Sequence, residues 1–192
     1  MQADFVLANT VDAGNGTGEV NQPDPVVRFT GGQKTTSITI PAGTRRATIS
    51  IASSGTVAGQ TTIQVSKLRV LGADLPFVPP PASFRVDRSI PVLTDACYRP
   101  DGTDLQVEVT GYSTTRSLTG ANLAINGKTL RTIDIGSIAN DYFTSELSIR
   151  TGGAFTVFVP LATPNPITVD SLTVALTNRI GTSQTRTVRR CQ

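Results

Sequence analysis

The residues best equipped for chemistry lie in one run. Gly111-Tyr112-Ser113-Thr114-Thr115-Arg116 sets three hydroxyls beside a guanidinium at the end of a strand-like segment. A hydroxyl becomes a nucleophile only when a base takes its proton. The chain has no histidine, which removes Ser-His-Asp and Cys-His catalysis, His-ligated zinc and a histidine general base. Ser113, Thr114 and Thr115 therefore lack the usual activating group. The run reads better as a turn or crossing between strands over Gly111 to Thr119. In that reading Tyr112 packs at a sheet edge and Arg116 hydrogen-bonds nearby carbonyls or a carboxylate.

Carboxylates offer less. Asp12, Asn15, Glu19 and Asp24 lie among glycines, the kind of loop that lends oxygen ligands to calcium. The spacing lacks the D-x-[DN]-x-[DN]-G pattern, and turn chemistry explains the same residues. Asp101 and Asp104 flank a turn in which Pro100 sets the first φ and Gly102 accepts a positive one. Glu108 sits mid-strand at a polar alternation position and should face solvent. Asp141 and Glu146 flank Tyr142-Phe143, the one place where acids and aromatics cluster. Asn15-Gly16-Thr17 matches the glycosylation sequon. Gly14 to Gly18 lacks the lysine and hydroxyl of a phosphate-binding loop. No catalytic, cofactor-binding or metal-ligating set is assigned.

Cys97 and Cys191 are the two cysteines, too far apart in sequence for a zinc knuckle. A single pair spanning most of a β-domain reads as a disulfide, hence an oxidising compartment. Two buried thiols in a reducing compartment are the alternative. A closed loop of this length would stabilise by about 4–5 kcal/mol in the chain-entropy picture.

Net charge is +3. It divides as +1 before and +2 after Pro81, so neither half is a basic module. Arg45-Arg46 and Arg189-Arg190 are the basic doublets, without interleaved aromatics, so no nucleic-acid partner is expected. There is no tryptophan, and aromatic residues are 5%, little material for a sugar-binding platform. No apolar run approaches the roughly 18 residues of a membrane span. The start "MQADFVLANT" lacks the basic and apolar regions of a signal peptide.

The elements that position these residues are strands. "SITI" (Ser37 to Ile40), "ATISIA" (Ala47 to Ala52), "TTIQVSKLRV" (Thr61 to Val70), "LQVEVT" (Leu105 to Thr110), "FTVFV" (Phe155 to Val159) and "SLTVALT" (Ser171 to Thr177) alternate apolar and polar residues. Turn residues bound each one, the pattern of a β-sandwich or barrel. Asn126-Gly127 predicts a two-residue hairpin pairing Asn122–Ile125 with Lys128–Ile133. "IGSIANDYFTSEL" (Ile135 to Leu147) is the nearest approach to a helix. Consecutive prolines at 79–81 favour a stiff extended spacer. The length fits one large or two small domains. The division read from the chain is 1–78, a linker at 79–83, and 84–192. Expected core residues are Phe29, Ile38, Ile40, Ile49, Ile51, Ile63 and Val65 in the first part. In the second they are Leu105, Val107, Val109, Leu123, Ile125, Phe155, Val157, Leu172, Val174 and Leu176.

The stretch from Val26 to Val65, with "TIPAG" and "GTVAG", resembles a module of large secreted bacterial proteins, especially from acidobacteria. "VEVTGYSTTRSLTGANLAI", "FTVFVPL" and "VDSLTVALTNRIGTSQ" resemble the Ig-like module that follows it there after a proline-rich joint. The resemblance spans nearly the whole chain. It implies an all-β protein of two tandem Ig-like β-sandwiches, secreted or displayed on a bacterial surface, and implies no activity.

The expected function is a non-enzymatic extracellular structural or interaction protein, a spacer or filament-forming subunit. Its partners would be proteins or further copies, with "ADFVLANTV" as a sheet-edge strand completing a neighbour's sheet. The alternative is a glycan- or calcium-binding adhesin module.

Overall fold

The computed structural model describes residues 1–12, 23–44, 46–53, 55–102, 104–162 and 169–192. Strands dominate, and two short helices interrupt them.

The first sheet is built on β1 (Gln2–Val11), which runs antiparallel between β2 (Thr35–Thr39) and β3 (Gly59–Val70). β3 also pairs with β4 (Ala73–Asp74) and β5 (Ala82–Val86) along its other side. Two expectations change here. β1 is an interior strand, not an edge strand. Its alternating pattern suits a ladder on both sides, with Ala3 and Leu7 buried beneath the sheet. The proline segment connects β4 to β5 within this sheet and does not separate it from the rest. Leu75 still donates to the Leu68 carbonyl of β3; proline cannot donate to a ladder, so the chain leaves the sheet over 76–81 and re-enters at Ala82. The boundary read at 79–83 thus falls inside the first sheet.

A thin layer covers this sheet. "ATISIA" forms no ladder; Ile51 alone makes one bridge, to Phe29. Phe29, Val27, Val57, Ala58 and Leu68 are buried. Ile38, Ile40, Ile49, Ile51, Ile63 and Val65 are only half-buried, because so short a layer cannot seal them.

The remainder is a sandwich. One sheet runs β10-β7-β6-β13 and the other β12-β11-β8-β9. The first holds β6 (Val92–Asp101), β7 (Asp104–Tyr112), β10 (Ala154–Leu161) and β13 (Arg189–Arg190). The second holds β8 (Gly120–Ile125), β9 (Lys128–Asp134), β11 (Leu172–Thr177) and β12 (Arg186–Thr187). Their inner faces share one core, with Val107, Val109, Val157 and Val159 facing Leu123, Leu172, Val174 and Leu176. All the second-part core residues expected from the sequence are buried except Leu105 and Ile125, which pack at its margin. The Asn126-Gly127 hairpin forms, with both residues at positive φ (51° and 68°). Asn126 also accepts from the Asp170 and Ser171 amides, tying the hairpin to the start of β11.

The segment read as the nearest approach to a helix, one irregular or helical turn, folds into two helices, α1 (Gly136–Thr144) and α2 (Glu146–Thr151). α1 buries Ala139 and Phe143, four residues apart on one face. Phe143 meets Tyr142 and Phe155 edge to face, centroids 5.5 and 6.2 Å apart.

Candidate functional site: a buried polar joint

The hydroxyl-rich run crosses from the end of β7 to the start of β8, that is, from one sheet of the sandwich to the other. Tyr112 lies at the end of a central strand, opposite Val92 and Ala154, and not at a sheet edge. The four residues that follow are buried: Ser113 is 0% exposed, Thr114 and Thr115 6%, and Arg116 2%. A turn closes over them through the Arg116 amide to the Ser113 carbonyl, 3.0 Å. Arg116 adopts φ 49°, a left-handed conformation uncommon outside glycine. The surrounding contacts hold it there.

The hydroxyls are used internally. Ser113 Oγ lies 3.0 Å from Thr115 Oγ1 and donates to the Ser117 carbonyl at 2.9 Å. Asn178 Nδ2 donates to Thr115 Oγ1 at 3.2 Å and to the Ser89 carbonyl at 2.8 Å. Thr114 Oγ1 accepts from the Ser89 amide at 2.8 Å. Ser89 lies in the segment leading from the first sheet into β6, so these bonds pin the entry of the chain into the sandwich.

On its other side the run meets the first sheet. The Ala58 amide donates to the Thr114 carbonyl at 2.8 Å, one residue before β3. Gly153 donates to Thr56 Oγ1 at 2.9 Å. Asp24, 1% exposed, accepts from the Thr56 and Val57 amides at 2.5 and 2.8 Å and from Val26 at 3.1 Å. Arg116 Nε donates to the Gly152 carbonyl at 3.1 Å. Burial pushes the Arg116 guanidinium below its ordinary pKa, and the Asp24 carboxylate opposes that shift. Gly152 has φ 70°, and a Cβ on Gly153 would press on the Thr56 and Ser113 carbonyls. Only glycines allow the two backbones to come this close.

The other sequence candidates do not converge. Asp12 pairs with Arg85, and its amide donates to Ala58. Asp12 and Asp24 thus use their oxygens on protein donors. Asn15, Glu19 and the sequon lie outside the described residues. Asp101 faces Asp104 across the β6–β7 turn, and Gly102 takes φ 63° as the turn chemistry requires. Asp141 and Glu146 are exposed while Phe143 points into the core, so acids and aromatics do not share a site. A cavity of about 440 Å³ beside the joint is lined by Arg116, Ser117, Ser137, Asn140 and Arg179 among others. No carboxylate is among its described lining residues.

Cys97 and Cys191 form a disulfide, with Cα atoms 5.0 Å apart. It fastens the chain end to β6, where β13 pairs in parallel with Cys97 and Tyr98. Glu108, directly across from Cys97, pairs with Arg99 at 3.2 Å on the half-exposed outer face. Sequence reasoning missed Thr56, Gly153, Ser89 and Asn178. They lie far from the run in sequence and carry no motif of their own.

No family model matches the chain. No curated protein matches it. Among solved structures, the chicken CNTN1 FN1-FN3 domains align over 98% of this chain and 54% of that one, at 12% identity and a TM-score of 0.29. A likeness at that level carries no argument. No helix among the described residues is long and apolar enough to cross a membrane.

Proposed function

We propose that the chain is a non-enzymatic extracellular structural and interaction module. Its first sheet and its sandwich act as tandem Ig-like units, of the bacterial-surface kind that the sequence resembles. One observation carries this reading: the side chains best suited to chemistry are spent on each other at a buried joint. Ser113, Thr114, Thr115, Arg116, Asn178 and Asp24 are all at most 6% exposed and hydrogen-bond within their own body, and the two bodies are joined by the Ala58 amide on the Thr114 carbonyl and the Gly153 amide on Thr56 Oγ1. Such a joint supports a stiff spacer, because bending it would strand buried polar groups. The disulfide supports an oxidising location.

The test is a ligand screen joined to a shape measurement. A glycan array and a calcium thermal-shift series should both be flat. Small-angle scattering should fit one rigid particle. A calcium-induced rise of several degrees, or saturable glycan binding, would replace this reading with the adhesin one.

A further inference from the structure

Sheet edges offer unpaired backbone to any passing strand, and folded proteins blunt them with charge, proline, bulges or shortness. Among the described residues nearly every sheet edge is blunted. β12 and β13 are two residues long and carry Arg186, Arg189 and Arg190. β9 carries Lys128, Arg131 and Asp134. β10 contains Pro160. The β4–β5 side of the first sheet has a two-residue strand, then Pro76 and the prolines at 79–81, then Arg85.

β2 is the exception. Thr35-Thr36-Ser37-Ile38-Thr39 has no charge and no proline, and its ladder to β1 has no bulge. Its register shows which groups point outward. Ile40 and Met1 bond each other in both directions, and Leu7 donates to the Lys34 carbonyl. In an antiparallel ladder the bonded pairs alternate, so the even-numbered residues face β1. Thr35, Ser37 and Thr39 therefore present their N–H and C=O groups away from it. Among the described residues nothing pairs with them.

We propose that β2 is a self-association edge, whose partner is the β2 strand of a second copy. The three outward residues are symmetric about Ser37. An antiparallel two-fold pairing sets Ser37 against Ser37 and Thr35 against Thr39, and every outward group finds a partner. Thr36 then lies beside Ile38 of the other copy on the half-buried face, which extends the apolar strip there. An uncharged strand brings no like charges together across the two-fold axis. The two first sheets become one continuous sheet. This moves strand pairing from β1, already paired on both sides, to the edge that is open. It rests on the structural-module reading, but the ligand screen tests that reading separately.

The experiment is register-specific cross-linking of the full chain with its native disulfide intact. In the proposed pairing the Ser37 Cα atoms are about 5.5 Å apart, within the span of a disulfide. The Thr35 Cα atoms of the two copies are more than about 10 Å apart. Under mild oxidation S37C should form covalent dimers at least tenfold faster than T35C. In sedimentation equilibrium, wild type should show a concentration-dependent dimer that S37P weakens at least tenfold. S37P removes an N–H that no intrachain bond uses, and a thermal melt checks that it folds. Equal cross-linking of S37C and T35C overturns the proposal, as does a dimer that persists in S37P. If S37P does not fold, the cysteine pair decides alone. Cross-linking of S37C to I49C in a mixed sample, without S37C homodimers, also overturns it and gives the edge to the unladdered segment at Ala47–Ile51.

Discussion

The sandwich and the first sheet bury apolar side chains to different depths. The sandwich closes two four-stranded sheets on a core whose central valines and leucines are at most 1% exposed. The first sheet has an opposing layer of one bridge, Phe29 to Ile51, and leaves Ile38, Ile63 and Val65 half-buried. A body with a thin core gains little from burial to offset its chain entropy. The first sheet therefore draws stability from the joint, where Thr56, Val57 and Ala58 are hydrogen-bonded to Asp24 and the sandwich. The sandwich owes much less to that contact. The dependence runs one way.

Core truncation should expose this asymmetry most strongly. Phe143→Ala removes a fully buried ring from the sandwich and should cost about 3–5 kcal/mol. Amide signals from both regions should then be lost at lower denaturant. Leu7→Ala, about 2–4 kcal/mol by the same reasoning, should melt the first sheet while leaving the sandwich midpoint in place. Simultaneous loss of both regions in Leu7→Ala would break the comparison.

Arg116→Ala is the next largest change. It removes the charged donor to the Gly152 carbonyl and should destabilise by about 1.5–3 kcal/mol. Unchanged thermal stability would show that the arginine is not structural.

The smallest effect concerns pH. The hydrogen bond from Arg189, 2.7 Å from Asp95, holds the exposed Asp95 carboxyl below its ordinary value of 3.8. A carboxylate with a depressed pKa contributes stability above its unfolded value and loses it as pH falls through the folded one. β13 should therefore fray below pH 3.8 while the first sheet is unaffected by this group. An NMR titration of Asp95 alongside β13 amide protection measures it. Fraying that begins near neutrality would contradict the pairing.

The same asymmetry explains what could be read from the chain. In the sandwich each alternating run became a strand and nearly every apolar position was core, because two full sheets reward strict period-two patterning. "ATISIA" has the same pattern but no ladder, since its antiparallel neighbour at Arg28–Thr30 meets it at the single Phe29–Ile51 bridge. The prolines at 79–81 marked a real interruption, but of a sheet edge, not of a domain boundary. α1 was legible only as the nearest approach to a helix, because few positions, Ala139 and Phe143 buried with Ile138 and Tyr142 at the core margin, mark its helical period. The run at 113–116 was recognisable as a crossing with Arg116 bonded to a carbonyl. Its partners Thr56, Gly153 and Asn178 were not, because only tertiary structure brings them together.

Native-state hydrogen exchange on Thr56→Val tests the one-way dependence most directly. The substitution keeps the shape and leaves the Gly153 amide without its acceptor. The cost is about 1–3 kcal/mol. Protection of the β1–β3 ladder should fall about 10- to 100-fold, while amides of the β7–β10 ladder should keep wild-type rates. Equal loss in both ladders, or no loss in the first, would contradict the account.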